Sequence, residues 1–122
     1  MEFKLNRLFT DANGESQFEE ISIPLSNETI IGNLSNNIKT KSVQFRQTTG
    51  EYDLELHNAP QRQYVVMLKG GVDITTSLGV TKRFEANTDQ CVILVEDTYG
   101  KGHYSKAIEG KDRFSMFIIL ED

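Results

Sequence analysis

Tryptophan is absent from this 122-residue chain, cysteine occurs once, and proline and histidine occur twice each. The single thiol, Cys91, has no partner within the chain, so no internal disulfide holds the fold. That fits a reducing compartment. Two prolines interrupt few strands. No run of about 18 apolar residues occurs, so no membrane-spanning helix is expected. The first sixteen residues, MEFKLNRLFTDANGES, lack the continuous apolar centre of a secretory signal. An excess of basic charge is missing too: 13 Lys and Arg face 18 Asp and Glu, for a net charge of -5. Phosphate backbones need a basic surface, so nucleic acid is not the expected partner. A cytoplasmic protein with neither a nucleic-acid nor a membrane partner is the expectation. On that placement, the glycosylation-type triplets Asn27-Glu28-Thr29 and Asn33-Leu34-Ser35 are accidental.

The composition itself is that of a globular chain, 38% hydrophobic and 25% charged. Its length suits one domain, residues 1–122, with a core of its own. Val, Ile and Thr far outnumber Ala, and branched side chains favour the pleated surface of a sheet over a helix. Periodicity agrees. Val43 and Phe45 alternate with Gln44 and Arg46, and Leu54 and Leu56 alternate with Glu55 and His57. Tyr64 to Leu68 and Cys91 to Val95 are continuously apolar, as strands covered on both faces are. Asp11 to Gly14, Gly70-Gly71 and Leu78-Gly79 supply turns. About ten short strands with little or no helix result, at the spacing of an all-β sandwich or barrel. Ser26 to Lys41, rich in Asn and Ser, reads as a long loop with one helical turn at Glu28 to Ile31. Cys91 is expected to be a buried structural thiol.

One stretch, Leu56 to His103, carries more than fold class. Gly50, His57, Gln63 and Gly70 fall near the positions of a first motif G-x5-H-x-H-x3,4-E-x6-G. Gly79, the Thr88-Asp89 turn and His103 follow on later hairpins, where a second motif lies. In these features the chain resembles a small single-domain cupin. The segments HNAPQRQYVV and VEDTYGKGH are similar to a set of small bacterial cupins with His-x-Ala-Pro-x-Arg-Gln and Glu-Asp-Thr-x-Gly-x-Gly-His at these places. The resemblance implies a double-stranded β-helix, or jelly-roll barrel, with a pocket at its mouth. Such barrels host both enzymes and non-catalytic binders, so fold alone leaves the chemistry open.

The resemblance also implies a metal set of two first-motif histidines, a glutamate and a later histidine. Here Ala59 stands for the second histidine and Gln63 for the glutamate. A degraded set of His57, Gln63 and His103 remains for Fe, Mn, Ni or Zn, with Asp97 as a supplement if its loop turns inward. Arg46, Tyr52, Arg62, Tyr99 and Lys101 join these residues as candidate ligand-binding groups around the mouth. Gly100 and Gly102 are read as permitting a close backbone approach to a ligand. Two functions follow. One is a binding module for a small anionic or carbohydrate-like molecule. The other is an enzyme: a metal-dependent dioxygenase, or a metal-free isomerase or epimerase in which His57 and His103 serve as general acid and base while Asp97 or Tyr99 orients or donates. A homodimer formed through the apolar N-terminal strand, Met1 to Phe9, is expected as well.

Overall fold

The computed structural model describes residues 1–51 and 53–121. Among these residues the chain is all-β, with no helix. None of its elements is therefore a helix long and apolar enough to cross a membrane. Twelve strands follow in order among the described residues: β1 (Glu2–Thr10), β2 (Ser16–Pro24), β3 (Asn27–Thr29), β4 (Gly32–Leu34), β5 (Thr40–Thr48), β6 (Asp53–His57), β7 (Gln63–Lys69), β8 (Gly71–Thr76), β9 (Thr81–Glu85), β10 (Val92–Val95), β11 (His103–Ala107) and β12 (Arg113–Leu120).

Ten of them form two sheets, of order β2-β1-β10-β7-β12-β5 and β6-β11-β8-β9. From β5 to β8 and again from β9 to β12 the chain passes back and forth between the sheets. The inner faces supply one apolar core. Leu8, Val65, Met67, Ile93 and Val95 from the larger sheet meet Val72, Ile74 and Phe84 from the smaller. These residues recur at alternate positions along their strands, as a face buried against a second sheet requires.

The turns follow local chemistry. Asp11 Oδ1 accepts hydrogen bonds from the N–H groups of Asn13 and Glu15, and Gly14 takes φ +80°. This Asx arrangement closes the β1–β2 hairpin.

Three expectations change. Residues 26–41 do not form a loop with a helical turn. They contain a short ribbon, β3 paired with β4. Thr29, Ile30 and Ile31 are branched and disfavour helix, and Gly32 turns the chain at φ +129°. The side chain of Thr29 closes this turn, accepting from the N–H of Ile31 and donating to the carbonyl of Gly32. Cys91 precedes β10 instead of lying inside a strand, and it is only half-buried. The strand β11, which no apolar alternation announced, lies between β6 and β8.

Candidate functional site

A cavity of about 180 Å³ lies between the sheets. That far exceeds the ~30 Å³ of a single water, so the space suits a small organic molecule. Its floor is core: Val65, Met67, Val72, Ile74, Ile93 and Val95. Arg46 on β5 and Leu54 on β6 line it too, and both are exposed. They are edge strands of different sheets, consecutive in the chain and not paired with each other. The cavity therefore opens along this edge.

The two histidines come together. His57 and His103 are register partners on β6 and β11, with ring centroids 4.4 Å apart and planes tilted by 55°. Each ring is held at Nδ1. His57 donates to the carbonyl of Glu55 at 2.8 Å, and His103 donates to Asp97 Oδ2 at 2.5 Å. The acceptors are a carbonyl and a carboxylate, so they assign the protons to Nδ1. Nε2 of each ring is left for whatever fills the cavity. Burial pushes the imidazole of His57 below its ordinary pKa, and the neighbouring His103 adds to this effect. The hydrogen bond to Glu55 and the charge of Asp97 act the other way. The net direction keeps His57 neutral, with Nε2 as an acceptor.

Asp97 is completely buried and does not line the cavity. It stands behind His103 as a positioning group. Its loop is stapled to the β6–β7 connection, where the Asp97 carbonyl accepts from the N–H of Ala59 and from Asn58 Nδ2, each at 3.2 Å. The expected supplement to a metal set is therefore turned away from the cavity. The glycines of this loop serve packing. A Cβ on Gly102, at φ +79°, would lie 2.4 Å from the His57 carbonyl oxygen, and one on Gly100 would lie 2.7 Å from that of Gly14. They admit the chain's own backbone, not a ligand.

Gln63 and Arg46 also line the cavity. Gln63 is buried, on the inner face of β7. The Arg46 guanidinium lies 4.2 Å from the ring centroid of Phe117, over its face. Arg46 makes no ion pair among the described residues. Three other candidates lie elsewhere. Arg62 donates from Nε to Glu96 at 2.7 Å, and its second contact to that carboxylate is 2.6 Å. Glu96 also holds Arg7 at 3.1 Å. Lys101 pairs with Glu15 beside the β1–β2 turn. Tyr99 is largely exposed, and its carbonyl accepts from Thr10. None of these three lines the cavity. Tyr52 lies outside the described residues.

Two polar lining residues escaped the sequence reading, Ser105 and Arg113. Ser105 follows His103 on the inner face of β11. Arg113 opens β12 and is buried, while Thr48 opposite it in register closes β5. An Arg in register with Ser115, Phe117 and Ile119 on the inward face of a mostly apolar strand was the available signal for Arg113.

The donor set does not fit a transition metal. The cavity offers two imidazole nitrogens and a neutral carboxamide oxygen, a weak ligand for divalent ions. No cluster of three or more His, Cys, Asp and Glu suited to a metal occurs among the described residues. Arg46 and Arg113 line the same cavity, and no Asp or Glu among the described residues does. Compared with known proteins, the chain matches no protein-family model and no curated sequence.

Proposed function

We propose that this chain is a small-molecule-binding protein of the cupin class that holds a small anionic ligand in the cavity between its sheets. One observation carries the reading. Two guanidinium groups and two imidazoles line one organic-sized cavity that has no carboxylate in its wall among the described residues. The back-and-forth passage of β5 to β12 between two sheets supports a jelly-roll of residues 1–122, and so does the placing of His57 and His103 side by side. A cytoplasmic location belongs to the same proposal, on the strength of the lone thiol.

The test uses the chain's two imidazoles as reporters. Acetate and inorganic phosphate are titrated against the protein while the ring resonances of His57 and His103 are followed by NMR, with choline as the cationic control. Both anions are expected to shift both rings, and an Arg46→Met, Arg113→Met double variant to abolish the response. Choline shifting the rings as far as the anions do would sink the reading.

A second reading has one observation in its favour, the buried Asp97 carboxylate on Nδ1 of His103. It prepares Nε2 to take a carbon-bound proton, as an isomerase or epimerase requires. Neutral His57 is less suited to serve as the paired acid. Deuterium uptake at carbon by a bound acid in D₂O, lost on His103→Gln, would establish this reading.

A homodimer completes the proposal. β5 is an edge strand whose outward Phe45 is 75% exposed beside the half-exposed Val43. An antiparallel β5–β5 pairing about a two-fold axis would cover both residues and remove a bare edge.

A further inference from the structure

We infer that the ligand is a small hydroxy acid, with its carboxylate at Arg46 and its hydroxyl at the His57–His103–Gln63 end of the cavity. This rests on the anion-pocket reading above and names the rest of the molecule. The strand registers set Arg46 apart from the imidazoles and Gln63, with Ser105 two residues beyond His103 on β11 and Arg113 at the start of β12. On the larger sheet, Gln63 faces Val95 and Ile119 in one row across the strands. Val65, Ile93 and Phe117 form the next row, two residues along. Two residues of strand are about 7 Å. The Arg46 guanidinium reaches this second row, because it lies over the Phe117 ring. On the smaller sheet, His57 and His103 share a row with Thr76. The loops 58–62 and 96–102 join them directly to the end of the larger sheet that carries Gln63 and Val95.

The cavity thus has a cationic zone and an imidazole–carboxamide zone, roughly 7 Å apart. Val65, Ile93, Ile74 and Leu54 are among the apolar residues that line the cavity with them. A carbohydrate carries hydroxyls along its whole length and would leave several of them against this apolar wall without partners, at a cost. A simple anion such as phosphate would leave the second zone unused. That zone asks for a donor. The Nδ1 protons of both rings are already given to Glu55 and Asp97, so neutral His57 presents only an acceptor at Nε2. The buried carboxamide of Gln63 has no hydrogen-bond partner among the described residues and can accept or donate. A hydroxyl meets both groups, where a carbonyl oxygen would meet only Gln63.

Calorimetric titration of the intact protein with a small set of probes tests this. The acids are 4-hydroxybenzoate and its aliphatic counterpart 5-hydroxypentanoate. The controls are benzoate and pentanoate, which lack the hydroxyl, 4-hydroxybenzamide, which lacks the charge, and glucose. Each hydroxy acid is expected to bind about tenfold more tightly than its deoxy analogue, the gain of one well-placed hydrogen bond. 4-Hydroxybenzoate should exceed the amide by at least as much. Arg46→Met should erase the acid-over-amide preference and keep the hydroxyl preference, and Gln63→Leu should do the reverse. Folding of each variant is checked by its ring resonances. Deoxy acids binding as tightly as hydroxy acids, or glucose binding more tightly than either, would overturn the inference while leaving the pocket standing. If none of the probes moves the imidazole resonances, the pocket reading itself falls.

Discussion

His57 and His103 lie side by side but stand in different surroundings. His103 is buried on Asp97, whereas His57 sits at the end of an edge strand, half-buried and tied to a backbone carbonyl. Burial lowers the pKa of His57, so the folded protein takes up its proton less readily than the unfolded chain does. The stabilising contribution is complete above the ordinary imidazole pKa of 6.5, and it erodes as the pH falls through the lower folded value. NMR titration should therefore give His57 a midpoint below 6.5. His57→Gln should lessen the loss of stability between pH 7 and pH 5 in urea unfolding. A midpoint above 6.5 would mean that the hydrogen bond to Glu55, together with Asp97, outweighs burial at this ring. Of the nine residues expected at the site, His57, His103, Gln63 and Arg46 line the cavity, and Asp97 stands behind it. Arg62, Tyr99 and Lys101 were chosen because they neighbour these residues in sequence. Along a strand or a tight loop, neighbours point to opposite sides, and Arg62 turns to Glu96 for that reason.

β11 shows how far periodicity reaches. Its inward positions are His103, Ser105 and Ala107, with Tyr104 and Lys106 between them. The strand is amphipathic in burial but not in hydrophobicity, because its inner face carries His103 and Ser105 to the cavity. Apolar alternation therefore could not reveal the strand that carries half of the site. The loop before it contributes through close packing. Gly102 and Gly14 both adopt left-handed φ, but a Cβ on Gly102 would strike the His57 backbone, whereas one on Gly14 meets nothing within 4 Å. Gly14→Ala is expected to cost about 1–2 kcal/mol, the left-handed strain alone. Gly102→Ala should cost more and broaden the His57 resonance, because β6 must shift. Equal costs in denaturant unfolding would show that β6 yields freely. The N-terminal strand gives a different lesson. β1 has the right apolar content to pair with a second copy, yet β2 and β10 already occupy both its edges.

At the scale of the whole molecule, the free edges of the larger sheet are β2 and β5, and β5 exposes Val43 and Phe45. If β5 joins two copies, light scattering of the natural protein should give twice the 13.8 kDa chain mass and Phe45→Glu should give that mass once. A single-chain mass for both would remove the dimer from the proposal. The net charge of -5 also takes on a particular distribution. Acidic side chains lie outside the cavity wall, while two arginines lie within it. If the cavity holds an anion, its affinity should fall as added salt screens the two guanidinium groups, which titrations at rising ionic strength would show.

Composition and periodicity determined that the chain is all-β and where most of its strands run, but not which apolar faces are buried, since Val43, Phe45, Leu54 and Leu56 alternate as a buried face would and are exposed. These properties depend on side-chain branching and on a two-residue repeat, both of which are local. The meeting of His57 and His103 was anticipated from motif spacing, which reflects strand and turn lengths, and the two rings do lie together in one cavity. The tertiary structure decided which polar groups share a cavity. Arg113 enters it from a strand ten residues beyond His103, Asp97 stands behind the His103 ring, outside the cavity wall, and Lys101 leaves for Glu15. Such pairings depend on register between strands distant in sequence, where a shift of one residue reverses every side chain.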